Sequence, residues 1–136
     1  MLKIALVILL TVMSESAMAH QWAHRATHRD KAGHYVISYA DPVIAHTTYN
    51  KGIMWDLLDY TVAHEINGKS YMSIAGETEY DCKNIQVRTL HATFHSGNMG
   101  KGKVILTDSM PGEWLPVMPS SIGESLWKTA CGGEHY

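Results

Sequence analysis

The chain has 136 residues, of which 46% are hydrophobic and 18% are charged, and its formal net charge at pH 7 is -2. This length corresponds to a single domain, and the hydrophobic content is too high for a disordered chain. Because nucleic-acid binding needs a basic surface that displaces counterions from phosphates, the near-neutral charge argues against DNA and RNA as partners.

Residues 1–19 have the pattern of a cleavable export signal. Lys3 precedes an apolar run from Ile4 to Met13, and Ala17-Met18-Ala19 places small residues at the two positions that a signal peptidase reads. The run is shorter than the roughly 20 apolar residues that span a bilayer. We therefore expect cleavage after Ala19 and an exported domain of residues 20–136, in the periplasm, secreted or at the cell surface. With no cysteine near the cut, we expect no lipid anchor.

Two strands are predicted in the first half of this domain. Tyr35 to Ala40 is rich in aromatic and β-branched residues and is followed by the turn signal Asp41-Pro42. Ile53 to Tyr60 has a similar composition and follows the turn signal Asn50-Lys51-Gly52. Both segments therefore indicate strands that end at turns.

A tight antiparallel hairpin is predicted next, because only Lys83-Asn84 separates the strand-like segments Met72 to Cys82 and Ile85 to His95. The turn sets the register. It pairs Cys82 with Ile85, Tyr80 with Val87, and Glu79 with Arg88. One face near the turn is then apolar, whereas the face with Asp81 and Glu79 is expected to be in contact with water.

The last elements are a short strand, Lys103 to Thr107, a Pro/Gly-containing loop, Ser109 to Pro119, and one helix. Ser121 followed three residues later by Glu124 is the pattern of a capping box at the start of this helix. The helix is amphipathic and ends at Gly132-Gly133. Its apolar stripe consists of Ile122, Leu126, Trp127, Ala130 and Cys131.

Cys82 and Cys131 are the two cysteines of the chain. In an exported protein a disulfide is favoured, and the wide separation fits neither a C-x-x-C redox motif nor a zinc knuckle. Cys82 lies on the apolar face of the predicted hairpin and Cys131 on the apolar stripe of the helix. The bond is therefore predicted to tie the helix to the sheet.

Several stretches resemble the surface-adhesin protein E family in residue type, order and spacing. They are Tyr80-Asp81-Cys82, Ser96 to Val104, Pro111 to Trp114, and Ser121 to Cys131. The resemblance implies an α+β, mostly β fold, with an antiparallel sheet of about six strands and a C-terminal helix tied to it by a disulfide. It also implies a non-enzymatic surface protein without a cofactor, which binds host proteins such as vitronectin, laminin and plasminogen or associates with itself.

The glycine-rich segment between the last two strands is the candidate partner-binding loop. Its spacing matches the phosphate-binding G-x-x-x-x-G-K motif, but Val104 stands where that motif needs Ser or Thr, and a strand rather than a helix follows. It is either a simple strand connection or a recognition loop that offers its two lysines to an acidic partner. The candidate residues are Ser96, Gly97, Asn98, Met99, Gly100, Lys101, Gly102 and Lys103.

Nine histidines suggest an alternative function, periplasmic copper or zinc binding with methionines as soft ligands. His91 and His95 are four residues apart on a predicted strand and so point to the same side, while His20 and His24 lie near the predicted mature terminus. These four are weak metal candidates. A closed zinc site needs four ligands, and we expect no tight stoichiometric site.

Enzyme motifs are absent from the sequence. It contains no G-x-S-x-G nucleophile elbow and no H-E-x-x-H zinc motif. A paired-carboxylate site remains an alternative, although nothing in the sequence indicates which acids would pair. The acids considered are Asp56, Asp59, Glu113 and Glu124. The sequence therefore predicts a protein that is not an enzyme.

Overall fold

The computed structural model describes residues 20–132, apart from the side chains of His46 and Thr47. The predicted export signal, residues 1–19, lies outside the described residues. Within the described part of the chain, no helix has the length and apolar character needed to cross a membrane.

Residues 20–132 form seven strands and one α-helix, all connected by short turns or loops. The elements are β1 (Ala23–Arg29), β2 (Tyr35–Thr48), β3 (Lys51–Ile66), β4 (Lys69–Asp81), β5 (Gln86–His95), β6 (Val104–Asp108), β7 (Leu115–Pro116) and α1 (Ile122–Ala130). The sheet is antiparallel in the order β1-β2-β3-β4-β5-β6, and β7 pairs with the start of β5. The predicted α+β, mostly β fold with a C-terminal helix is confirmed.

The first two strands of the structure differ from the sequence-based expectation. β1 was not predicted, and β2 does not end at Asp41-Pro42 but continues through it. A bulge absorbs these residues: Ala40 pairs with Asp56 and Ile44 pairs with Met54, so residues 41–43 face a single residue of β3. Proline is tolerated there because a bulge position does not need the missing N–H for the ladder.

The sheet has two faces of different character, set by the alternation of side chains along β3. Met54 and Asp56 lie on the face against which α1 packs, here called the helix face. Trp55 and Leu57 lie on the opposite face, and Leu57 is in contact distance of Gly100 in the loop between β5 and β6. We call this second side the loop face.

The core lies between α1 and the helix face, as the predicted apolar stripe requires. Its buried residues are Ala40, Met54, Tyr80, Cys82, Leu126, Ala130 and Cys131, with Ile122 and Trp127 packed against them. The indole N–H of Trp127 donates to the Asp81 carbonyl at 3.0 Å. Cys82 and Cys131 form the predicted disulfide. The helix is therefore attached to the sheet by packing, one hydrogen bond and one covalent bond.

The start of α1 confirms one half of the predicted capping box. Ser121 Oγ accepts a hydrogen bond from the Glu124 amide at 3.1 Å, which satisfies an N–H that has no partner within the helix. The Glu124 carboxylate lies instead 3.3 Å from Lys128 Nζ, one turn further along. The cap therefore comes from Ser121 alone.

The predicted β4–β5 register is confirmed near the turn, where Tyr80 pairs with Val87 and Glu79 with Arg88. The turn is longer than predicted and spans Cys82–Ile85. Asp81 closes it by accepting hydrogen bonds from the amides of Lys83 and Asn84. Further from the turn, a bulge between Glu77 and Thr78 shifts the register by one residue.

The prediction that the Asp81 and Glu79 face is solvated near the turn is wrong. Glu79 is 6% exposed and Asp81 is 3% exposed. Arg88 covers Glu79 and pairs with it at 2.7 Å. Trp114, from the loop before β7, packs in turn against the Arg88 guanidinium, 4.8 Å from its ring centroid. The loop before β7 therefore covers a surface that the hairpin alone would leave exposed.

Candidate functional site

The loop Ser96–Lys103 folds back onto the loop face of the sheet and is held there by two buried polar side chains. Asp59 Oδ1 accepts from the Met99 amide at 2.8 Å and from Asn98 Nδ2 at 3.0 Å. Ser73 Oγ donates to the Gly97 carbonyl at 2.6 Å and accepts from the Gly100 amide at 2.9 Å. The loop is therefore fixed by the sheet beneath it.

The two ends of the loop also bond to each other. The Ser96 amide donates to the Lys103 carbonyl at 2.9 Å, and Ser96 Oγ accepts from the Lys103 amide at 2.8 Å. Gly102 has a φ of +78°, and a Cβ at this position would lie 2.5 Å from Ser96 Oγ and 2.9 Å from the Gly97 nitrogen. Glycine is required there by both conformation and space.

Lys101 and Lys103 are the exposed charges of this anchored loop, and neither forms an ion pair with another residue of the described chain. The loop leads directly into β6, whose first residue, Val104, is 46% exposed. The structure therefore brings two solvated cations next to the outer strand of the sheet.

Asn98→Ala is expected to loosen this loop without unfolding the protein. It removes the bonds from Nδ2 to Asp59 and to the Tyr60 carbonyl, at a cost of about 1 kcal/mol. Backbone hydrogen exchange should speed up at residues 97–101 and change little elsewhere. Asn84→Ala, which loses a similar bond to Asp81 in another turn, is the matched control. Unchanged exchange at residues 97–101 in Asn98→Ala would contradict the anchoring.

A cleft of about 660 Å³ lies on the loop face beside this loop. One wall is aromatic and the other belongs to the loop. Its lining residues are His20, Trp22, Trp55, Ala75, Thr93, His95, Met99, Gly100 and Lys101. Residues from five separate segments therefore meet at one concave surface.

The aromatic wall is built around His20. Its ring lies 4.9 Å from the Trp22 ring and 4.7 Å from the Trp55 ring, centroid to centroid. His20 Nδ1 donates to Asp41 Oδ2 at 2.9 Å. Burial by itself raises the pKa of Asp41, but the hydrogen bonds from His20 and from the Val43 amide outweigh this effect and lower it. The β2 bulge thus supplies the acid that orients His20.

Thr93 and His95 form the polar part of the cleft. The Thr93 hydroxyl donates to the Ala75 carbonyl at 3.4 Å and lies 2.8 Å from His95 Nε2. His95 Nδ1 is buried and has no hydrogen-bond partner in residues 20–132. Burial lowers the pKa of His95. The imidazole is therefore neutral at pH 7, with one nitrogen that the fold leaves unsatisfied.

The four histidines considered as metal ligands all find other contacts. His20 and His95 line the cleft, His91 Nδ1 lies 2.9 Å from Ser109 Oγ, and His24 Nε2 lies 2.9 Å from Thr27 Oγ1. His91 contacts the Trp55 ring, so it shares the loop face with His95, as their spacing predicted. No three His, Cys, Asp or Glu side chains in residues 20–132 are grouped so that they could hold a metal ion.

The acidic residues of β3 lie on opposite faces of the sheet. Asp56 is on the helix face, where it accepts from the Tyr80 hydroxyl at 2.8 Å, and burial raises its pKa to about 6. Asp59 is on the loop face beneath Asn98. The structure therefore does not bring these two carboxylates together as an acid–base pair.

Sequence reasoning missed the cleft, and Trp22 in particular. Trp22 immediately precedes β1, whose sequence is mostly polar, so strand propensity gives a weak signal there. The lining residues are also far apart along the chain, and their meeting depends on the pairing of β1 with β2 and on two bulges. The one local feature near this surface is a tryptophan two residues from histidines on both sides.

A family model identifies the family to which this chain belongs. The family model described as Surface-adhesin protein E matches residues 26–132. Among solved structures, the chain is similar to protein E from non-typeable Haemophilus influenzae, at 15% identity over 84% of this chain and 86% of that chain, with a TM-score of 0.49. No curated protein matches the sequence. Because the family model covers most of the chain, the protein belongs to the surface-adhesin protein E family.

Proposed function

We propose that this chain is an exported, non-enzymatic binding protein whose partners are extracellular or host proteins of the vitronectin, laminin and plasminogen class. Family membership supports an adhesin-like role. The observation that carries the assignment of a contact surface is the anchored loop Ser96–Lys103, which holds two solvated lysines beside the outer strand β6. In this proposal, residues 1–19 are removed on export and His20 becomes the first residue.

The two edges of the sheet differ in how well they suit a partner strand. The β1 edge carries Arg25 and Arg29, and charged side chains protect an edge against strand addition. The β6 edge begins Val104-Ile105-Leu106 and is the last strand in the sheet order. An unpaired apolar edge offers backbone groups to an extended segment of a partner, or to a second copy of this chain. We therefore assign the contact to the β6 edge.

The proposal predicts that Lys101→Glu with Lys103→Glu weakens partner binding about tenfold or more and leaves folding intact. Solvated charges contribute little to stability, but they steer association with an acidic partner. Binding to immobilised vitronectin, laminin and plasminogen is measured by surface plasmon resonance at two salt concentrations. The thermal unfolding midpoint is measured in parallel, and size-exclusion chromatography reports self-association.

Lys31→Glu with Lys83→Glu is the control, because it makes the same change in charge at two exposed lysines in other turns. This control should bind as the wild type does. Equal binding by the Lys101 and Lys103 variant would contradict the loop assignment. Absence of binding to all three proteins, together with a monomeric elution volume, would contradict the proposed function itself.

A further inference from the structure

We propose that the cleft between Trp22, Trp55 and Lys101 binds a saccharide residue that carries a carboxylate group. The inference concerns a small-molecule site and goes beyond binding to protein partners at the β6 edge. It rests on three properties of the cleft: an aromatic wall, polar groups that suit hydroxyls, and a cation on the opposite side.

The aromatic wall supplies apolar contact to a flat ligand. Trp22, His20 and Trp55 form a continuous set of rings, and the Trp55 ring is also in edge contact with His91. Indoles combine a large apolar surface with little conformational freedom, so packing against them orders few side chains. The C–H face of a pyranose ring is apolar and can pack against one of these indole rings.

The polar groups of the cleft suit a ligand with several hydroxyls. Thr93 Oγ1 lies 2.8 Å from His95 Nε2 and 3.4 Å from the Ala75 carbonyl oxygen. His95 Nδ1, the other ring nitrogen, has no hydrogen-bond partner in residues 20–132. A ligand hydroxyl can both donate and accept a hydrogen bond, so it can bond to the Thr93 hydroxyl whichever nitrogen of His95 carries the proton.

The charges around the cleft favour an anion. Lys101 lines the loop wall and is exposed, with no carboxylate of the described chain paired to it. Asp41, the acid beside the aromatic wall, is already engaged by His20 and the Val43 amide. A carboxylate next to Lys101 would therefore meet an uncompensated cation.

The size of the cleft fits a glycan end rather than an extended chain. Its volume of about 660 Å³ is within the range of about 300–1,000 Å³ that is typical of small-molecule sites. The anchored loop makes one wall rigid, because Asp59 and Ser73 hold its backbone. A preformed cleft loses little conformational entropy when a ligand binds.

The experiment uses the purified protein as it is exported and free monosaccharides as probes. The probes are methyl glucuronide and N-acetylneuraminic acid, with methyl glucoside as the neutral comparison. Saturation-transfer NMR and tryptophan fluorescence report binding. We expect the acidic sugars to bind with a Kd of about 1 mM or lower, and the neutral sugar to bind about tenfold more weakly.

Two variants test the assigned residues. Trp22→Ala should weaken binding of the acidic sugars about tenfold or more, whereas Trp114→Ala, outside the cleft, should not. Lys101→Gln is at an exposed position that the fold tolerates, and it should remove the preference for acidic over neutral sugars. A circular dichroism melt identifies any variant that fails to fold.

Failure to bind any of the three sugars, equal binding of acidic and neutral sugars by the wild type, or an unaffected Lys101→Gln variant would overturn the proposal. Because the probes are free sugars, these results do not depend on whether vitronectin, laminin or plasminogen binds. Loss of protein binding with retained sugar binding would contradict the proposed function alone, and the reverse would contradict this inference alone.

Discussion

Replacing both Cys82 and Cys131 with alanine is expected to lower the free energy of unfolding by about 4 kcal/mol, within a range of about 2–5 kcal/mol for small exported domains. The bond joins residues 49 positions apart and so removes much of the entropy of the unfolded chain. It links the turn after β4 to the end of α1, where both cysteines are buried in the core. Urea unfolding of the wild type and the double variant measures the difference.

Reduction provides the matched comparison for this prediction. Dithiothreitol should move the urea midpoint of the wild type to that of the double variant, and it should leave the double variant unchanged. Free-thiol labelling of the denatured, unreduced wild type should find no reactive cysteine. Stoichiometric labelling of both thiols, or a midpoint that reductant does not change, would contradict the bond in the exported protein.

The contribution of Asp56 to the free energy of unfolding is expected to fall as the pH rises from about 4 to about 7. Asp56→Asn should remove this pH dependence. Burial raises the pKa of Asp56 from 3.8 to about 6, against opposing hydrogen bonds from Thr78 and Tyr80. The folded chain therefore holds this proton more tightly than the unfolded chain. The resulting stability is present below about pH 4 and is lost as the pH passes through about 6.

The expected loss of stability is about 3 kcal/mol, because the pKa of Asp56 rises from 3.8 to about 6 and each pKa unit corresponds to about 1.4 kcal/mol. The difference in urea stability between wild type and Asp56→Asn, measured at several pH values, isolates Asp56 because both proteins share all other titrating groups. Asparagine keeps an oxygen acceptor for the Tyr80 hydroxyl. A difference that does not vary with pH would contradict the raised pKa.

Tyr80→Phe tests how the hydrogen bond from Tyr80 affects the pKa of Asp56. The Tyr80 hydroxyl donates to Asp56 and favours the charged carboxylate. Without that donor, the pKa of Asp56 should rise further, and the fall in stability should extend to higher pH. This shift should be absent when Tyr80→Phe is combined with Asp56→Asn.

Local patterns identified the elements whose signals lie in neighbouring residues. The Ser121 cap, the apolar stripe of α1 and the register next to the β4–β5 turn depend on residues a few positions apart, so they could be predicted. The disulfide followed from the two cysteines of a chain with an export signal, and the apolar faces on which Cys82 and Cys131 lie agreed with it. β1 could not be predicted in this way, because its polar sequence forms a strand only when it pairs with β2.

The amino-acid sequence by itself determined most of the strands, the C-terminal helix and the disulfide, because residue type and periodicity act over a few neighbouring positions, and the resemblance to a family supplied the single sheet in which the strands are joined. Only the tertiary structure decided which polar residues are buried and which line the cleft. Trp114 and Arg88 bury Glu79, and Asp59 holds the glycine-rich loop. The register shift between Glu77 and Thr78 places His95 on the loop face, where it lines the cleft. Each outcome depends on contacts between distant segments, and a one-residue change of register would move every side chain beyond it to the other face.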